Sequence, residues 1–486
     1  MLSVTGKEIN FKIVERKFYE IGCEIAKIMM KEFLEGLDVD LAQNRDKKEL
    51  RHKGKRKRAL KTLMGEVEIE RNLYRRENDK GEIEHIHLLD QELGFETIGT
   101  VSPNLAEKIL DQICEMPYRE VSNSVSELTN QSISHQGVWN IVQQIGEKQK
   151  EKEEKLVDAY KTNKLSGSKE VKVLFEEADG VYLAMQGKSR SKRKGKKELK
   201  IGIAYEGWKQ RYPGSKEYKT VEKIAYAGYI STGEFSDLRD AYVAEKYNTD
   251  EIKYRILNGD GASWIEKGHD FENSVFQLDP YHISQSVIRA VRDKKARVHI
   301  FKWLKKGEFE KVYTKLETLK YNCDGLVNEI EKLSNLQRYL KAHEKGIMSY
   351  KTREDLKIPE PPEGLEYRNL GTMESNVNSF ASRMKGRKSW SEKGATNLAK
   401  IIALKLSGCF KDKIGGLISA KLSEEIQERF EEEIINTRDF LKKPKKSKIY
   451  PTQRGLMPFA GSSKTNGREA IQNLFNYRNF TELIYR

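Results

Sequence analysis

The sequence predicts an α/β ribonuclease H-like core with an all-α insertion, preceded by a mostly helical region that contains a β-hairpin. Three observations predict it. Strand patterns at 170–186, 198–208 and 223–230 are followed by a helix pattern at 231–247, then by two strand-into-helix units at 254–260 and 274–287. Antiparallel strands followed by β-α units make a mixed sheet covered by helices. From about 283 to 356 the chain reads almost wholly as charged helix, an insertion into that order. Upstream, residues 8–35 place Ile9, Ile13, Phe18, Ile21, Ile25, Met29 and Phe33 at helical spacing, and 101–146 hold three more helix patterns.

Length and charge narrow the class of partner. The 486 residues suffice for two to four domains, and 89 Lys+Arg against 74 Asp+Glu leave a net charge of +15. Such a balance suits a polyanionic partner, most often nucleic acid, although a Lys-rich protein without one is the plainer alternative. The N-terminal "MLSVTGKEINFKIVERKF" has no apolar signal region, and nowhere is there the run of about 20 apolar residues that a membrane span needs. No membrane partner and a cytoplasmic location are therefore expected. Cys23, Cys114, Cys323 and Cys409 form no Cys-x-x-Cys pair, which argues against a zinc ribbon or a disulfide framework.

Four regions follow in order. Residues 1–100 hold the first helix, a basic run "RHKGKRKRALK" (51–61), and an alternating strand at 62–76 that reaches the turn "ENDKGE" (77–82), read as a β-hairpin with basic flanks. In 101–165, Ser-Pro starts one helix and Ser134 caps a third, with His135, Gln136, Asn140 and Gln143 on faces not needed for packing. This pattern suits a helix-turn-helix-like DNA-binding domain or an ordinary helical pair. The core is expected at 166–410, and 411–486 as a helical segment with a basic tail. "AGSSKTNG" (460–467) lacks the glycine before Lys464 and the preceding strand of a phosphate loop.

The acids carry the chemistry. "NGDGASWI" places Asp260 between two glycines where a strand ends, and Asp179 ends the first long apolar strand before an Ala-Asp-Gly break. If those strands are neighbours, the two carboxylates meet at one edge. Glu374 follows from a helix after the insertion. Three such carboxylates can hold two Mg²⁺ ions about 3.5–4 Å apart and support phosphodiester chemistry. Each acid also has a plainer role open to it: Asp179 and Asp260 as turn acids, Glu374 as a first-turn acid after Thr372.

Taken in order, "EADGVY", "NGDGASWI", "DPYH" and "MESNVNSFASRMKGRKSWSEKG" resemble the catalytic domain of DDE transposases from bacterial insertion sequences. Within these the chain is similar to the Mutator-like group, and most of all to the Lre-type transposases, over about residues 165–410. The resemblance implies a ribonuclease H-like fold, Asp179, Asp260 and Glu374 as ligands of two Mg²⁺ (or Mn²⁺) ions, and cutting and joining of double-stranded DNA at transposon ends and target. It also implies a homodimer or higher assembly at the bacterial nucleoid. The group usually has Cys-x-x-His where this chain has Asp279-Pro-Tyr-His282, so Asp279 and His282 are possible auxiliary residues. A silent or domesticated DNA-binding protein, or a structure-selective nuclease on the same fold, is the alternative.

Expected DNA contacts are Lys192, Arg193 and Lys194 in a hairpin tip, His135, Gln136 and Asn140 on the helical unit, and Arg383, Lys385, Arg387 and Lys388 around Trp390. An aromatic among cations suits an unpaired base, whereas a tryptophan is more often core.

Overall fold

Asn10 caps the first helix, α1 (Phe11–Asn44), its side chain accepting from the Ile13 amide. The computed structural model describes residues 10–431 apart from 79–80, 95–98, 130, 188–194, 267–272, 324–325, 419–423, 425 and 429. Residues 1–420 form one compact unit and 421–486 a second. The basic tail lies outside the described residues.

The strands β1 (Arg51–Thr62) and β2 (Gly65–Glu77) pair antiparallel across Leu63 and Met64, and β3 (Ile83–Ile86) joins β2. The basic run expected to flank a hairpin is thus its first strand. An edge strand tolerates this charge because it needs little burial and lysines deter further pairing, and Lys57 pairs with Glu68 across the ladder at 2.8 Å. Short α2 (Leu88–Glu92) brings buried Asp90 against Arg58 and Arg71 at 2.5 and 2.7 Å.

Three helices follow: α3 (Pro103–Ile113), capped by Ser102, α4 (Tyr118–Thr129) and α5 (His135–Lys161), capped by Ser134.

The central sheet is built from β4 (Val173–Ala184), β5 (Lys196–Tyr205), β8 (Ile224–Gly228), β9 (Tyr254–Gly259) and β10 (Ser274–Leu278), while β6 (Gly207–Gln210) and β7 (Tyr218–Val221) form a separate ribbon. Its order is β10-β9-β4-β5-β8. β5 runs antiparallel to β4 and β8, whereas β9 is parallel to both β4 and β10. One face packs on α6 (Thr232–Lys246), whose Ser231 and Glu234 form a reciprocal capping box. There buried Glu176 of β4 pairs with Arg255 of β9 at 2.6 Å, and Arg255 reaches Asp240 of α6 at 2.9 Å.

Past β9 comes α7 (Ser263–Glu266). The insertion consists of α8 (Pro280–Ala290), α9 (Lys294–Lys306), α10 (Phe309–Tyr321), α11 (Val327–Ala342) and α12 (Glu344–Ile347), around its own core of Val287, Ile300, Val312, Leu316 and Leu340. Then α13 (Met373–Met384), α14 (Glu392–Leu406) and α15 (Phe410–Ile418) complete the other face of the sheet.

Two expectations are corrected here. β4 has no break at Ala-Asp-Gly: Asp179 pairs with Ile201 and Gly180 with Lys200 in an unbroken ladder, so Asp179 lies within the strand. Gly180 marks no turn: it continues the ladder, and a Cβ there would meet only the carboxylate end of the flexible Glu198 side chain. The second concerns Gln143, which is buried and accepts at 2.9 Å from Asn397 of α14.

That contact belongs to a larger junction. Ile109, Ile113, Val138 and Ile145 of the helical region share one apolar core with Phe175, Ile201 and Ile203 of the sheet and Leu398 and Ile402 of α14. The boundary expected near residue 165 is therefore a joint along the chain, not a gap in the packing. Helices α5 and α14 approach so closely that a Cβ on Gly146 would lie 2.6 Å from the Asn397 Cα. Gly146→Ala is expected to destabilise the fold by about 1–3 kcal/mol through overpacking, read as a lower urea midpoint at unchanged slope; an unchanged midpoint would show that the two helices separate freely.

Candidate active site

Glu177 organises the site. It lies fully buried on β4, and one carboxylate receives six donors. The Thr372 amide at 3.2 Å, its hydroxyl at 2.5 Å and the Tyr205 hydroxyl at 2.5 Å reach Oε1. The Gly371 and Met373 amides, at 3.2 and 3.1 Å, and Asn258 Nδ2 at 3.0 Å reach Oε2. The amides are the orphan donors at the start of α13, so the acid satisfies them and meets the positive end of the helix dipole. Glu177 thereby fixes where α13 begins.

Strand geometry places the aspartates. Glu177 lies opposite Asn258 in the parallel β4–β9 register. Two residues further along a strand returns to the same face, which puts Asp179 beside Glu177 and, one residue past the end of β9, Asp260 beside Asn258. Both aspartates are half-buried. Gly259 is required because a Cβ would meet Ile265 Cγ2 at 2.7 Å, and Gly261, at φ +89°, because a Cβ would meet His343 Nε2 at 2.8 Å. Asp260 Oδ1 accepts from the Ala262 amide at 2.8 Å, so the residue also closes a turn.

Asp279 and His282 come to the same place. Asp279 caps α8, with Oδ1 accepting from the Tyr281 amide at 2.7 Å and Oδ2 from Asn258 at 3.3 Å. Its two oxygens are thus engaged, and it ties α8 to Asn258 and through it to Glu177. Burial pushes Asp179 up to about 6; the Gly180 amide and nearby His282 oppose this, and the charges of Asp260 and Asp279 add to it. Burial likewise raises Asp279. Glu374 is the second residue of α13 and exposed, next to Met373, whose amide donates to Glu177. Among the described residues, no three His, Cys, Asp or Glu side chains converge closely enough to hold a metal ion. The structure thus brings Asp260, Asp279 and His282 within range of the Asp179 charge without closing them into a metal-binding group, and leaves Glu374 at the head of the adjoining helix.

Sequence reasoning missed Glu177 and Asn258, although two acids spaced by two in "FEEADG" put both on one strand face. It also missed Tyr339 of α11, whose hydroxyl donates to the Asp260 carbonyl at 2.9 Å, and His343, whose Nδ1 lies 3.2 Å from Glu266 Oε2. No local pattern marks a contact made across 79 residues.

The expected DNA contacts divide. His135, Gln136 and Asn140 are exposed at the start of α5, and Lys385 and Arg387 are exposed after α13. Arg383 is 2% exposed, its Nε donating to the Ile113 carbonyl at 2.6 Å, and Trp390 is 9% exposed, its Nε1 donating to the Met384 carbonyl at 2.8 Å. These two are walls of the core, because the segment around Trp390 bridges to Met185 just past β4. Lys388 is half-buried. Lys192, Arg193 and Lys194 lie outside the described residues.

Fold and site together define a mixed α/β protein with an acid cluster at the carboxyl end of two parallel strands, overlaid by a helical insertion. The chain belongs to the uncharacterised protein family UPF0236, which it matches over residues 4–415. It is similar to UPF0236 proteins of Caldanaerobacter subterraneus subsp. tengcongensis, one 26% identical over 72% of this chain and 70% of the relative, another 24% identical over the same shares. A UPF0236 protein of Streptococcus gallolyticus, named for its place in the vanSb 3′ region, is 26% identical over 73% of this chain and 74% of its own. Among the described residues no helix is long and apolar enough to cross a membrane.

The raised Asp179 has a consequence for stability. A carboxyl whose folded value, about 6, lies above its unfolded value of 3.8 favours the protonated native state, so ionising it costs stability that is fully felt above pH 6 and vanishes below about pH 4. Asp179→Asn should therefore be more stable than the parent at pH 7.5, by about 1–3 kcal/mol at 1.36 kcal/mol per unit, and equal to it at pH 4. Melting both proteins at the two pH values checks this; a gain of equal size at both would assign the effect to packing.

Proposed function

We propose that the chain is a DNA transposase that cleaves and joins DNA strands on a ribonuclease H-like core, with Asp179, Asp260 and Glu374 as its acids. The observation that carries this reading is the placement of Asp179 and Asp260 at matching levels of neighbouring parallel strands, beside a helix start that carries Glu374 and is clamped by Glu177. The strand order and the ordered motifs that resemble DDE transposases support it.

The acids are of the donor type that divalent cations take, while no three of them stand close enough in this structure to hold one. They are hard oxygen donors, and burial with mutual repulsion lifts Asp179, a strain that a cation would relieve. Asp179 and Asp260 would hold the ions, with Glu374 as the third carboxylate. Bound Mg²⁺ or Mn²⁺ supplies activation of water or a 3′-hydroxyl and stabilisation of the leaving oxygen. The protein's part is to hold the acids on a rigid strand pair, with Asn258 joining Glu177 to Asp279 and Tyr339 fixing the Asp260 backbone.

The rest of the chain suits a DNA partner. Arg51, Lys53, Lys55, Arg56 and Lys57 are exposed along β1, and phosphate neutralisation by such a row gives affinity without sequence preference. The names of the relatives support mobility as well. One joins eleven numbered designations in a single organism and another joins four. A coding sequence present many times in one genome is what a copying element leaves behind.

The test uses DNA carrying the sequences that flank this gene on both sides, incubated with the full chain and Mg²⁺ or Mn²⁺. Cleavage at the element boundary that needs metal and falls at least 10³-fold in Asp260→Asn is expected, since such a change removes a charge made for the transition state. Binding of equal strength in both proteins without cleavage would favour the silent DNA-binding reading, and cleavage without joining the nuclease.

A further inference from the structure

A cavity of about 340 Å³ opens where the helical region meets the core, between the start of α4, the first turns of α5, the end of β4 and the loop from α13 to α14. Its walls include Tyr118, Trp139, Arg383, Lys388, Trp390 and Ser391. Their chemistry is unusual for an interior junction. The Arg383 guanidinium stands over two aromatic rings, 5.4 Å from the Tyr118 centroid and 5.5 Å from that of Trp390, and it forms no ion pair with a described carboxylate. Its Nη2 is buried without a hydrogen-bond partner, as is the Tyr118 hydroxyl. Leaving such groups unpaired is costly, and a buried cation most of all.

The second cation adds to this. Lys388 Nζ donates to the Arg383 carbonyl at 2.7 Å, which leaves its charge as well without a carboxylate partner. Burial lowers Arg383, and burial followed by the Arg383 charge lowers Lys388; Glu120 opposes both from a distance. Ser391 caps α14, its side chain accepting from the Gly394 amide at 3.1 Å, so the positive end of that helix also faces the cavity. Trp139, by contrast, is 37% exposed and offers an open aromatic face.

We propose that this cavity binds an unpaired nucleotide of a nucleic-acid strand, its phosphate on Arg383 and Lys388 and its base against Trp139. Two unneutralised cations and a helix start call for an anion, and an exposed indole beside them calls for a planar ring attached to it. The volume is at the small end of ligand cavities, of order 300–1,000 Å³. The proposal deepens the transposase reading and rests on it for the source of the strand. From Glu374 to Arg383 is nine residues of α13, about 14 Å at 1.5 Å per residue, or about four stacked nucleotides at 3.4 Å each.

The experiment titrates the full chain, without metal, with dAMP, with inorganic phosphate and with a short single-stranded oligonucleotide, following tryptophan fluorescence and heat. Saturable binding of dAMP and of the oligonucleotide, with quenching, is expected. Trp139→Phe should lose the quench while calorimetry still detects binding, and Lys388→Gln should weaken binding at least tenfold. Arg383→Lys should do the same if its circular dichroism shows a folded protein; the other two variants decide the matter if it does not. Phosphate binding as tight as dAMP would overturn the role of Trp139, and no saturable binding, or binding unchanged in Lys388→Gln, would overturn the site. Asp179→Asn should bind dAMP as the parent does; absence of cleavage by the parent protein with its nucleotide binding intact would fail only the transposase reading. Cleavage without nucleotide binding would fail only this one.

Discussion

A single buried carboxylate sets the geometry on which the rest of the molecule depends. Glu177 lies at the centre of the sheet and is stabilised there by six donors rather than by a cation. Every partner is itself placed by something else: Tyr205 by β5, Asn258 by β9, and the three residues 371–373 by the start of α13. Unpairing a buried acid costs several kcal/mol, so these elements hold one another in place. The aspartates two residues further on gain their fixed position from this arrangement, each keeping one oxygen bound to a nearby amide.

The two faces of the sheet solve the same problem differently. On the α6 face, Glu176 is matched by Arg255, and Asp240 by Arg239 and Arg255. On the α13 face, no guanidinium or ammonium is among the six donors to Glu177, and the acids there accumulate. Charge is neutralised on one face, whereas on the other it accumulates, with Asp179 lifted to about 6. The insertion joins this arrangement through Tyr339 and Asp279, so a helical unit with its own core is still anchored at the acids.

The helical region is equally part of the core. Gln143 and Asn397 meet across α5 and α14, and Lys400 of α14 pairs with Glu153 of α5 in the same interface. Residues read as a separable DNA-binding module therefore share their packing with the sheet, and the cavity at Arg383 exists only because the two meet there.

Much was legible in the sequence because it is written locally. Period-two runs gave the strands, the pattern at 231–247 gave α6, and Asp260 between glycines marked a strand end. Other features depend on distance along the chain. The β4 break was misread because Asp-Gly signals a turn unless a partner strand passes alongside, and only the ladder to Ile201 and Lys200 shows that one does. Arg383 and Trp390 look like an exposed basic patch when read in line, yet the closing of α13 and α14 on the sheet buries both. By itself the sequence determined the elements and their order, since hydrophobic period and capping act over a few residues. Tertiary structure alone decided which acids share a face, which cations are covered and where a cavity remains, because those depend on contacts across tens to hundreds of residues.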